Sequence, residues 1–492
     1  MHLPATLPPL LATILSAYAL SSRANSLAAP HAGVKVLRIP TGPSASVLTE
    51  LETLIESLSL SKWTTVPRIN SHIDVEVPAS KYEQFKSSID PILAASGASE
   101  HGWGIKVMHE DLGASIAAES EGVFKGAVNF AATPDTDTWF DEYHSYDDHL
   151  AFLNNLVKAH PNNAEIVTSG TSFEGRNITG IHIFGAGGKG AGKAVIWHGT
   201  VHAREWITTM VVEYMAYQLL NDYANSTEVA GFVDSMDFYV FPFVNPDGFV
   251  YTQTTERLWR KNRQTAPLQS TCAGRDINRN WNTSWAQATG ASTDPCAQDF
   301  KGLAPADAPE TKALQEFVNK LASSEPGALM YSDWHSYSQL FMTPYGYTCD
   351  QLPPDNDELT SLAAGFADAV RQVYGTEFTS GPICPTIYPA SGSSTDYAYI
   401  ESKVKYSFAA ELRDQGEYGF VLPPAQIRPA AEETWAGVKY ILTKIQPPAP
   451  EPKTGATTDS GSPSGSTPSG SAVLLSSHFA VVLFATCFAL LL

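Results

Sequence analysis

The chain has 492 residues, 43% of them hydrophobic and 17% charged, and its 51 acidic and 31 basic side chains give a formal net charge of −20. This length and composition allow two or more domains with buried cores and exclude a fibrous or disordered protein. A body this acidic repels phosphate backbones, so nucleic acid is excluded as the expected partner.

The first predicted element is an export signal at residues 1–19. This segment is apolar and almost uncharged, and small residues at Ala17 and Ala19 offer a signal-peptidase site, although a basic start is missing. A short buried helix is the alternative interpretation.

Residues 33–112 are predicted to form a small α/β unit. Apolar spacing of period two and of helical period alternates along this stretch. The pattern predicts strand 34–39, helix 47–58, strand 72–77, helix 81–93 and strand 105–108. This order suggests a split βαβ sandwich. Because it has no cluster of catalytic residue types, the unit alone suggests a binding or inhibitory module.

Residues 113–134 are rich in Gly, Ala and Ser and contain one basic residue, Lys125. We predict an exposed connector here. From residue 135 to 445, buried strands alternate with long helices, which predicts one large α/β domain. Strands are expected at 193–199, 237–244, 328–334 and 406–412, a turn at Asn245–Gly248, and helices at 207–220, 308–322, 357–374 and 429–444.

The end of the chain is predicted to lie outside the fold. Residues 446–471 are dominated by Pro, Ser, Gly and Thr and cannot build a core. Small residues at Ser469–Ser471 precede an apolar tail, which is typical of a GPI-attachment signal over residues 472–492. A tail anchor or a processed tail is the alternative. Both ends therefore indicate a secreted or surface-anchored protein that contacts membrane only through a lipid.

The cysteines agree with export. Cys487 lies in the tail, which leaves an even number for disulfides in an oxidising compartment. Of the three possible pairings we adopt the adjacent one, Cys272 with Cys296 and Cys349 with Cys384. Glycosylation sequons are present at Asn177, Asn225 and Asn282.

The chemistry centres on His202 and Glu205 in the segment HAREW, which follows the strand at 193–199. A spacing of three lets an imidazole and a carboxylate reach one point and bind zinc, although such pairs are common on surfaces. His335 ends a second apolar strand and could supply a third ligand. Further Arg, Asn, Tyr and Glu residues are grouped in LWRKNR (258–263), DINRNW (276–281), TIYPASG (386–392) and ELRD (411–414).

With these motifs in order, residues 135–445 resemble the M14 zinc metallocarboxypeptidases of the pancreatic A/B type. The resemblance implies a mixed parallel and antiparallel twisted sheet flanked by helices, preceded by a ferredoxin-like inhibitory propeptide at 33–112. It also implies one zinc ion per catalytic domain, held by His202, Glu205 and His335. Glu411 would act as general base and then acid, and Arg260 would stabilise the oxyanion.

The substrate implied by this resemblance is a peptide or protein with a free C-terminus. Arg279 would bind the terminal carboxylate with Asn278 and Tyr388. Secondary substrate contacts would come from Arg204, Arg257, Tyr337 and Phe420. Residues 257–279 contain six basic residues and one acidic residue, which forms a basic patch in an acidic protein.

Preference for the last side chain depends on the pocket base, where members with Asp remove Lys and Arg and members with Ile remove apolar residues. This chain has Thr395, and nearby Ile383, Ile387, Ala390 and Ala409 are apolar or small. We expect A-type preference, since an unpaired buried cation costs several kcal/mol; the alternative is a B-like enzyme.

The propeptide would act as an intramolecular inhibitor, which an activating protease removes near Lys125, so that the enzyme begins near Ala131. Two other functions remain open. One is a catalytically silent surface protein, and the other is a zinc amidase acting on non-peptide amides.

Overall fold

The computed structural model describes residues 26–95, 104–124 and 136–448. The predicted signal peptide, Lys125, the attachment signal and all but the first residues of the stalk lie outside these ranges. Contacts divide the chain into residues 1–452 and 453–492, and every described residue belongs to the first unit. Within the described ranges, no helix combines the length and the apolar character needed to span a membrane.

Residues 26–124, which we call the N-terminal unit, contain a three-stranded antiparallel sheet with the order β2-β1-β3. The predicted strands and helices are confirmed here, with one helix added. The elements are β1 Lys35–Pro40, α1 Ala45–Ser57, β2 His72–Val77, α2 Ala79–Ala95, β3 Lys106–His109 and α3 Leu112–Glu119. One face of the sheet forms a core with α1 and α2 around Leu37, Ile39 and Phe85.

The predicted exposed connector at 113–134 is wrong for its first part. Residues 112–119 form helix α3, with Asp111 as N-cap and with Leu112, Ile116 and Glu119 buried. Its small residues suggested a flexible link, but Gly113 lies so close to the backbone of Ala32 that a Cβ there would clash. Small residues here therefore serve close packing.

Residues 136–448, the main domain, are built around an eight-stranded sheet with the order β10-β9-β11-β8-β6-β7-β5-β4. The central strands run parallel, whereas both sides include antiparallel pairs. The strands are β4 Ala164–Thr171, β5 Asn177–Ile183, β6 Lys193–Gly199, β7 Met236–Phe241, β8 Ala328–Ser336, β9 Leu340–Thr343, β10 Thr379–Pro382 and β11 Tyr406–Leu412. The predicted mixed sheet is confirmed.

Helices pack on both faces of this sheet, and the predicted long helices are confirmed within a few residues. They are α4 Thr136–Trp139, α5 Tyr146–Ala159, α6 Trp206–Asn221, α7 Thr227–Ser235, α8 Pro246–Thr254, α9 Pro309–Ser323, α10 Asn356–Tyr374, α11 Ile383–Thr386, α12 Ser394–Ile400 and α13 Ile427–Ile445. Helix α6 is buried almost throughout because it lies inside the main core.

The predicted turn at Asn245–Gly248 is the start of helix α8. Asn245 caps it by accepting the Gly248 N–H at 3.0 Å, with Pro246 in the first turn. The Asn245 amide also donates to the carbonyls of Val201 and Lys261. It therefore joins the loop after β6 to the segment that carries Arg260.

Candidate active site

The three predicted zinc ligands meet at the carboxyl ends of the central parallel strands. His202 and Glu205 follow β6, and His335 lies near the end of the neighbouring strand β8. Ligand atoms of all three lie within 4.8 Å of one another, and each residue is at most 4% exposed. The Nδ1 atom of His335 is 3.1 Å from both His202 Nδ1 and Glu205 Oε2.

Local structure explains why the two residues of HAREW converge. The chain leaves β6 in a tight loop, and Glu205 occupies the N-cap position of α6. The Glu205 N–H donates to the His202 carbonyl at 3.2 Å. Glu205 Oε1 is therefore held 2.9 Å from His202 Nδ1.

The chemistry of this donor set fits zinc. Two imidazoles and a carboxylate are the three protein ligands of many catalytic zinc sites. Both imidazoles turn Nδ1 inward and present Nε2 to a buried carboxylate, Asp276 for His202 at 3.1 Å and Asp333 for His335 at 3.0 Å. Such outer carboxylates fix the tautomer of zinc-bound histidines.

Glu411 lies beside this cluster because β11 pairs in parallel with β8, in a register that sets Glu411 opposite His335. Burial and the negative charge of Glu205 raise the pKa of Glu411 to about 8. A divalent cation at the three ligands would counteract the Glu205 charge and favour the ionised form. Arg413, two residues further along β11 and its following loop, pairs with Glu433 and not with Glu411.

Arg260 and Glu411 line one cavity. Its guanidinium donates to Asp276 Oδ2 at 2.8 Å and lies 3.8 Å from Glu205 Oε1. Burial alone would lower the pKa of Arg260, but the charge of Asp276 raises it, so the side chain stays cationic. A fixed positive charge therefore lies next to the three candidate zinc ligands.

Asn278, Arg279 and Tyr388 line the same cleft as Arg260 and the two ligand histidines. Asn278 Nδ2 is 3.0 Å from His335 Nε2, and the Arg279 guanidinium lies 5.7 Å from the centre of the Tyr388 ring. Arg279 Nη1 donates to the Asn278 carbonyl, whereas its buried Nε has no hydrogen-bond partner among the described residues. This donor set is suited to a carboxylate.

A small apolar pocket opens between these residues and Glu411. The residues that line its apolar part are Met342, Ile383, Ile387, Ala390, Thr395 and Ala409. Thr395 is 1% exposed, and its hydroxyl lies 3.5 Å from the Phe408 carbonyl. The next residue, Asp396, is buried but accepts the amides of Gly346 and Tyr347, so its carboxylate does not line the pocket.

Comparisons with known proteins decide the family. The zinc carboxypeptidase family Peptidase_M14 matches residues 149–437. A metallocarboxypeptidase A-like protein of Trichophyton verrucosum is 47% identical over 442 residues, which cover 89% of this chain and 99% of that protein. Carboxypeptidase A1 of Bos taurus is 36% identical over 83% of this chain and 93% of its own length. This chain belongs to the zinc carboxypeptidase family.

Solved structures agree with this assignment. The crystal structure of thrombin-activatable fibrinolysis inhibitor is similar with a TM-score of 0.73 and 27% identity, over 84% of this chain and 98% of that one. Carboxypeptidase A from Helicoverpa armigera gives a TM-score of 0.69 and 26% identity, over 85% and 98% of the two chains. The protein is therefore a metallocarboxypeptidase with the fold of its family.

The remaining predicted contact residues of this carboxypeptidase lie where the N-terminal unit meets the cleft. The Arg204 guanidinium lies 3.9 Å from the centre of the Phe420 ring and donates to the Trp63 carbonyl at 3.4 Å. Burial and the charge of Arg260 lower the pKa of Arg204 to about 10. The Tyr337 hydroxyl donates to the buried carboxylate of Asp74.

Arg257 has a different environment from the one the sequence suggested. Its guanidinium is fully buried and makes two bonds of 2.7 Å to Glu119 of α3. Its other bonds go to the carbonyls of Arg204 and Phe420. Arg257 therefore faces the N-terminal unit and not the metal cluster, and contact with substrate would require Glu119 to leave.

The carboxypeptidase contains two disulfides, Cys272–Cys296 and Cys349–Cys384, so the adjacent pairing is confirmed. The sequon residues Asn177, Asn225 and Asn282 are all exposed.

Several residues of the site were not identified from sequence. Asp276 lies inside the DINRNW motif, and its carboxylate type could have marked it as a histidine partner. Asp333 is two residues before His335 on one strand, so period two places both on one face. Met342 and Glu119 carry no local signal, because chain segments distant in sequence bring them to the cleft.

Proposed function

We propose that this metallocarboxypeptidase is made as a secreted zymogen and removes aromatic or aliphatic residues from the C-termini of peptides and proteins. The observation that carries this proposal is the buried, partly unpartnered Arg279 next to the three ligands and an apolar pocket. An exopeptidase needs these three features together: an anion site, a pocket for the last side chain and a metal centre.

His202, Glu205 and His335 would hold the zinc ion. When bound, zinc polarises the carbonyl of the bond to be cleaved and acidifies water. Glu411 is placed to take a proton from the attacking water and to return it to the leaving amine. Arg260, with its charge fixed by Asp276, would stabilise the negative charge that develops on the carbonyl oxygen.

Arg279 would bind the terminal carboxylate. A carboxylate satisfies a guanidinium through two parallel hydrogen bonds, and the Asn278 amide and Tyr388 hydroxyl can add to them. The distance between the Arg279 guanidinium and the three zinc ligands would determine that the last peptide bond is the one cleaved. The same requirement argues against an amidase acting on substrates without a terminal carboxylate.

The decisive assay is release of a free amino acid from an N-blocked dipeptide by the activated enzyme, with and without a zinc chelator. We expect release that the chelator abolishes and added zinc restores. No release by zinc-loaded enzyme would support a silent binding protein, and equal cleavage of a substrate lacking the carboxylate would support an amidase.

The pocket lining supports A-type preference. A Lys or Arg side chain would enter the apolar part of the pocket, which no carboxylate lines, and would lose its hydration there. We expect faster hydrolysis of peptides ending in Phe or Leu than of the matched peptide ending in Arg. A higher kcat/KM for the Arg peptide would contradict this preference.

The N-terminal unit supports the zymogen proposal. The Trp63 ring packs against Phe420 and Tyr337 at centroid distances of 5.4 and 6.4 Å. A cavity of about 410 Å³ remains between the N-terminal unit and Glu411, so the unit roofs the cleft without filling it. Cleavage near Lys125 would release the unit. N-terminal sequencing should show active protein that begins near Ala131; active protein beginning at residue 33 or earlier would contradict this.

Secretion and anchoring remain proposals based on the two ends of the chain. The disulfides and the exposed sequons support passage through an oxidising export route. We expect a phosphatidylinositol-specific phospholipase to release the protein from intact cells. Enzyme found only in the medium, with the tail of residues 472–492 still present, would contradict a GPI anchor.

A further inference from the structure

A row of buried polar side chains continues from His335 into the sheet. Tyr331, Asp333 and His335 alternate along β8 and therefore share one face. The parallel register with β6 places His198 directly beside Asp333. Tyr331, Asp333 and His198 are completely buried, in a region where an unpaired polar group is costly.

Asp333 is the centre of this row. One carboxylate oxygen, Oδ2, lies 3.0 Å from His335 Nε2 and accepts the Ser394 hydroxyl at 2.5 Å. The other, Oδ1, is 3.3 Å from His198 Nδ1. His198 Nε2 in turn is 2.5 Å from the Tyr331 hydroxyl. The carboxylate thus has a hydrogen-bond donor or a histidine nitrogen near each oxygen.

This arrangement assigns the tautomer of His335. Two groups lie 3.0 Å from Nε2, the Asp333 carboxylate oxygen and the Asn278 amide nitrogen. Because the buried carboxylate carries a full negative charge and would be repelled by a ring lone pair, we assign the hydrogen to Nε2. Nδ1, which faces Glu205 and His202, is then the free lone pair in the neutral ring. His198 Nε2 is within hydrogen-bond distance of the Tyr331 hydroxyl, whereas its Nδ1 lies 3.3 Å from Asp333 without a hydrogen bond to the described residues.

Asp333 is also connected to the substrate pocket. Ser394, which donates to it, begins helix α12 and precedes the pocket residue Thr395. The Ser394 N–H donates to Asn278 Oδ1 at 2.8 Å. One serine therefore links the carboxylate behind His335 with the residues expected to hold the substrate.

We propose that Asp333 is a positioning residue that holds His335 as an Nδ1 zinc ligand, with Ser394 sharing the carboxylate and connecting it to the pocket. The inference rests on the proposed zinc enzyme. His198 lies beside the second carboxylate oxygen at 3.3 Å, but that oxygen accepts no hydrogen bond from the described residues.

The test is zinc affinity of the purified full chain, measured by competition with a chelator. Removing an outer carboxylate of a zinc-bound histidine costs about 10- to 100-fold in metal affinity. We expect Asp333→Asn to lose about this much, and Asp276→Asn, which alters the equivalent carboxylate of His202, to lose a similar amount. Replacing zinc by cobalt should show an altered visible absorption spectrum in Asp333→Asn.

Asp237→Asn is the matched control. Asp237 is 3% exposed and lies 2.6 Å from His182 Nε2, on a strand that carries none of the three ligands. The Asp237→Asn substitution should lower the melting temperature without changing zinc affinity. Zinc affinity of Asp333→Asn equal to that of the wild type would overturn the inference. A wild-type chain that binds no zinc would instead overturn the proposed function.

Ser394→Ala decides the matter if Asp333→Asn does not fold. It removes one donor to the carboxylate, and we expect a loss of about threefold in zinc affinity, within the range of a single hydrogen bond. Ser391→Ala is its control, because the buried Ser391 hydroxyl has no partner among the described residues. Ser394→Ala and Ser391→Ala with unchanged zinc affinity would overturn the inference.

Discussion

The two sides of the cleft differ in what the N-terminal unit does to them. On one side, Arg257 is neutralised by Glu119, while Arg204 and Tyr337 contact Trp63 and Asp74 of the same unit. On the other side, Arg279 has a buried nitrogen with no partner among the described residues. One arginine is already paired, and the other still offers a donor to a substrate.

This difference indicates how the N-terminal unit would prevent activity. Its described residues contribute no carboxylate that bonds to Arg279. Instead, Trp63 contacts Arg204 and Phe420, and Arg68 donates to the Thr386 carbonyl, so the unit spans the mouth of the cleft. Inhibition would therefore come from blocked access, since His202, Glu205 and His335 already lie together while the N-terminal unit is in place.

The largest expected effect separates the two arginines. In the activated enzyme, Arg279→Gln should lower kcat/KM about 100- to 1,000-fold, because losing one partner of a buried charge pair costs about 2–5 kcal/mol. The kcat/KM of Arg279→Lys should lie between the values for the wild type and Arg279→Gln, since Lys keeps the charge without the planar fork. Arg257→Gln in the intact chain should mainly lower stability. Equal losses of kcat/KM in activated Arg257→Gln and activated Arg279→Gln would show that Arg257 binds substrate as strongly as Arg279 once Glu119 has left.

Glu119→Ala tests the side of the cleft on which Arg257 is already paired with the N-terminal unit. It leaves Arg257 buried without its partner, a change that costs about 3–5 kcal/mol. We expect the uncut chain to gain at least about tenfold in basal hydrolysis and to melt earlier, because that cost favours opening of the unit. Glu121→Ala, which alters an exposed residue two positions along, is the control and should behave as wild type. A stable Glu119→Ala chain with unchanged basal activity would show that α3 does not hold the roof closed.

Thr395→Asp tests the side of the cleft that contains Arg279, at the base of the pocket expected to hold the last side chain. A carboxylate there would pair with a basic side chain, so the ratio of kcat/KM for Arg to Phe peptides should rise at least about tenfold. Thr395→Asn has a similar shape without the charge and should leave the ratio near the wild-type value. If Asn and Asp variants behave alike, the preference depends on shape and not on charge.

The smallest expected effect is a pH dependence in the binding of the N-terminal unit to the main domain. Burial lowers the pKa of His109, which contacts the Tyr418 carbonyl and Ser115, packs on Trp63 and lies near Asp414. In the released unit this histidine would titrate at about 6.5, so the docked state binds fewer protons. Docking is therefore favoured above that pH and weakens as pH falls below it.

After cleavage, the fraction of N-terminal unit that remains bound should decrease several-fold between about pH 7.5 and 5. His109→Gln should flatten this dependence. His160→Gln alters a histidine at the end of α5, away from the roof, and should not. A dependence that is identical in His109→Gln and wild type would assign it to other groups.

Much of the fold was predictable because its signals are local. The continuous apolar run of β6 and the long periodic helices depend on neighbouring residues, and their bounds are close to the predicted ones. Edge strands such as β4 were missed because their burial is mixed, and period two is then weak. The start of α8 was taken for a turn because Asn, Pro, Asp and Gly serve both structures.

The sequence by itself determined the family, the ligand types and the residues around Arg279, because these are motifs in which spacing along the chain carries the chemistry. Only the tertiary structure decided which carboxylates stand behind the histidines, that Glu119 takes up Arg257, and that Met342 lines the pocket. These contacts join segments separated by tens to hundreds of residues, as with Glu119 and Arg257 at 138 positions apart. Sheet register and domain docking set such distances, and neither is written in a local pattern.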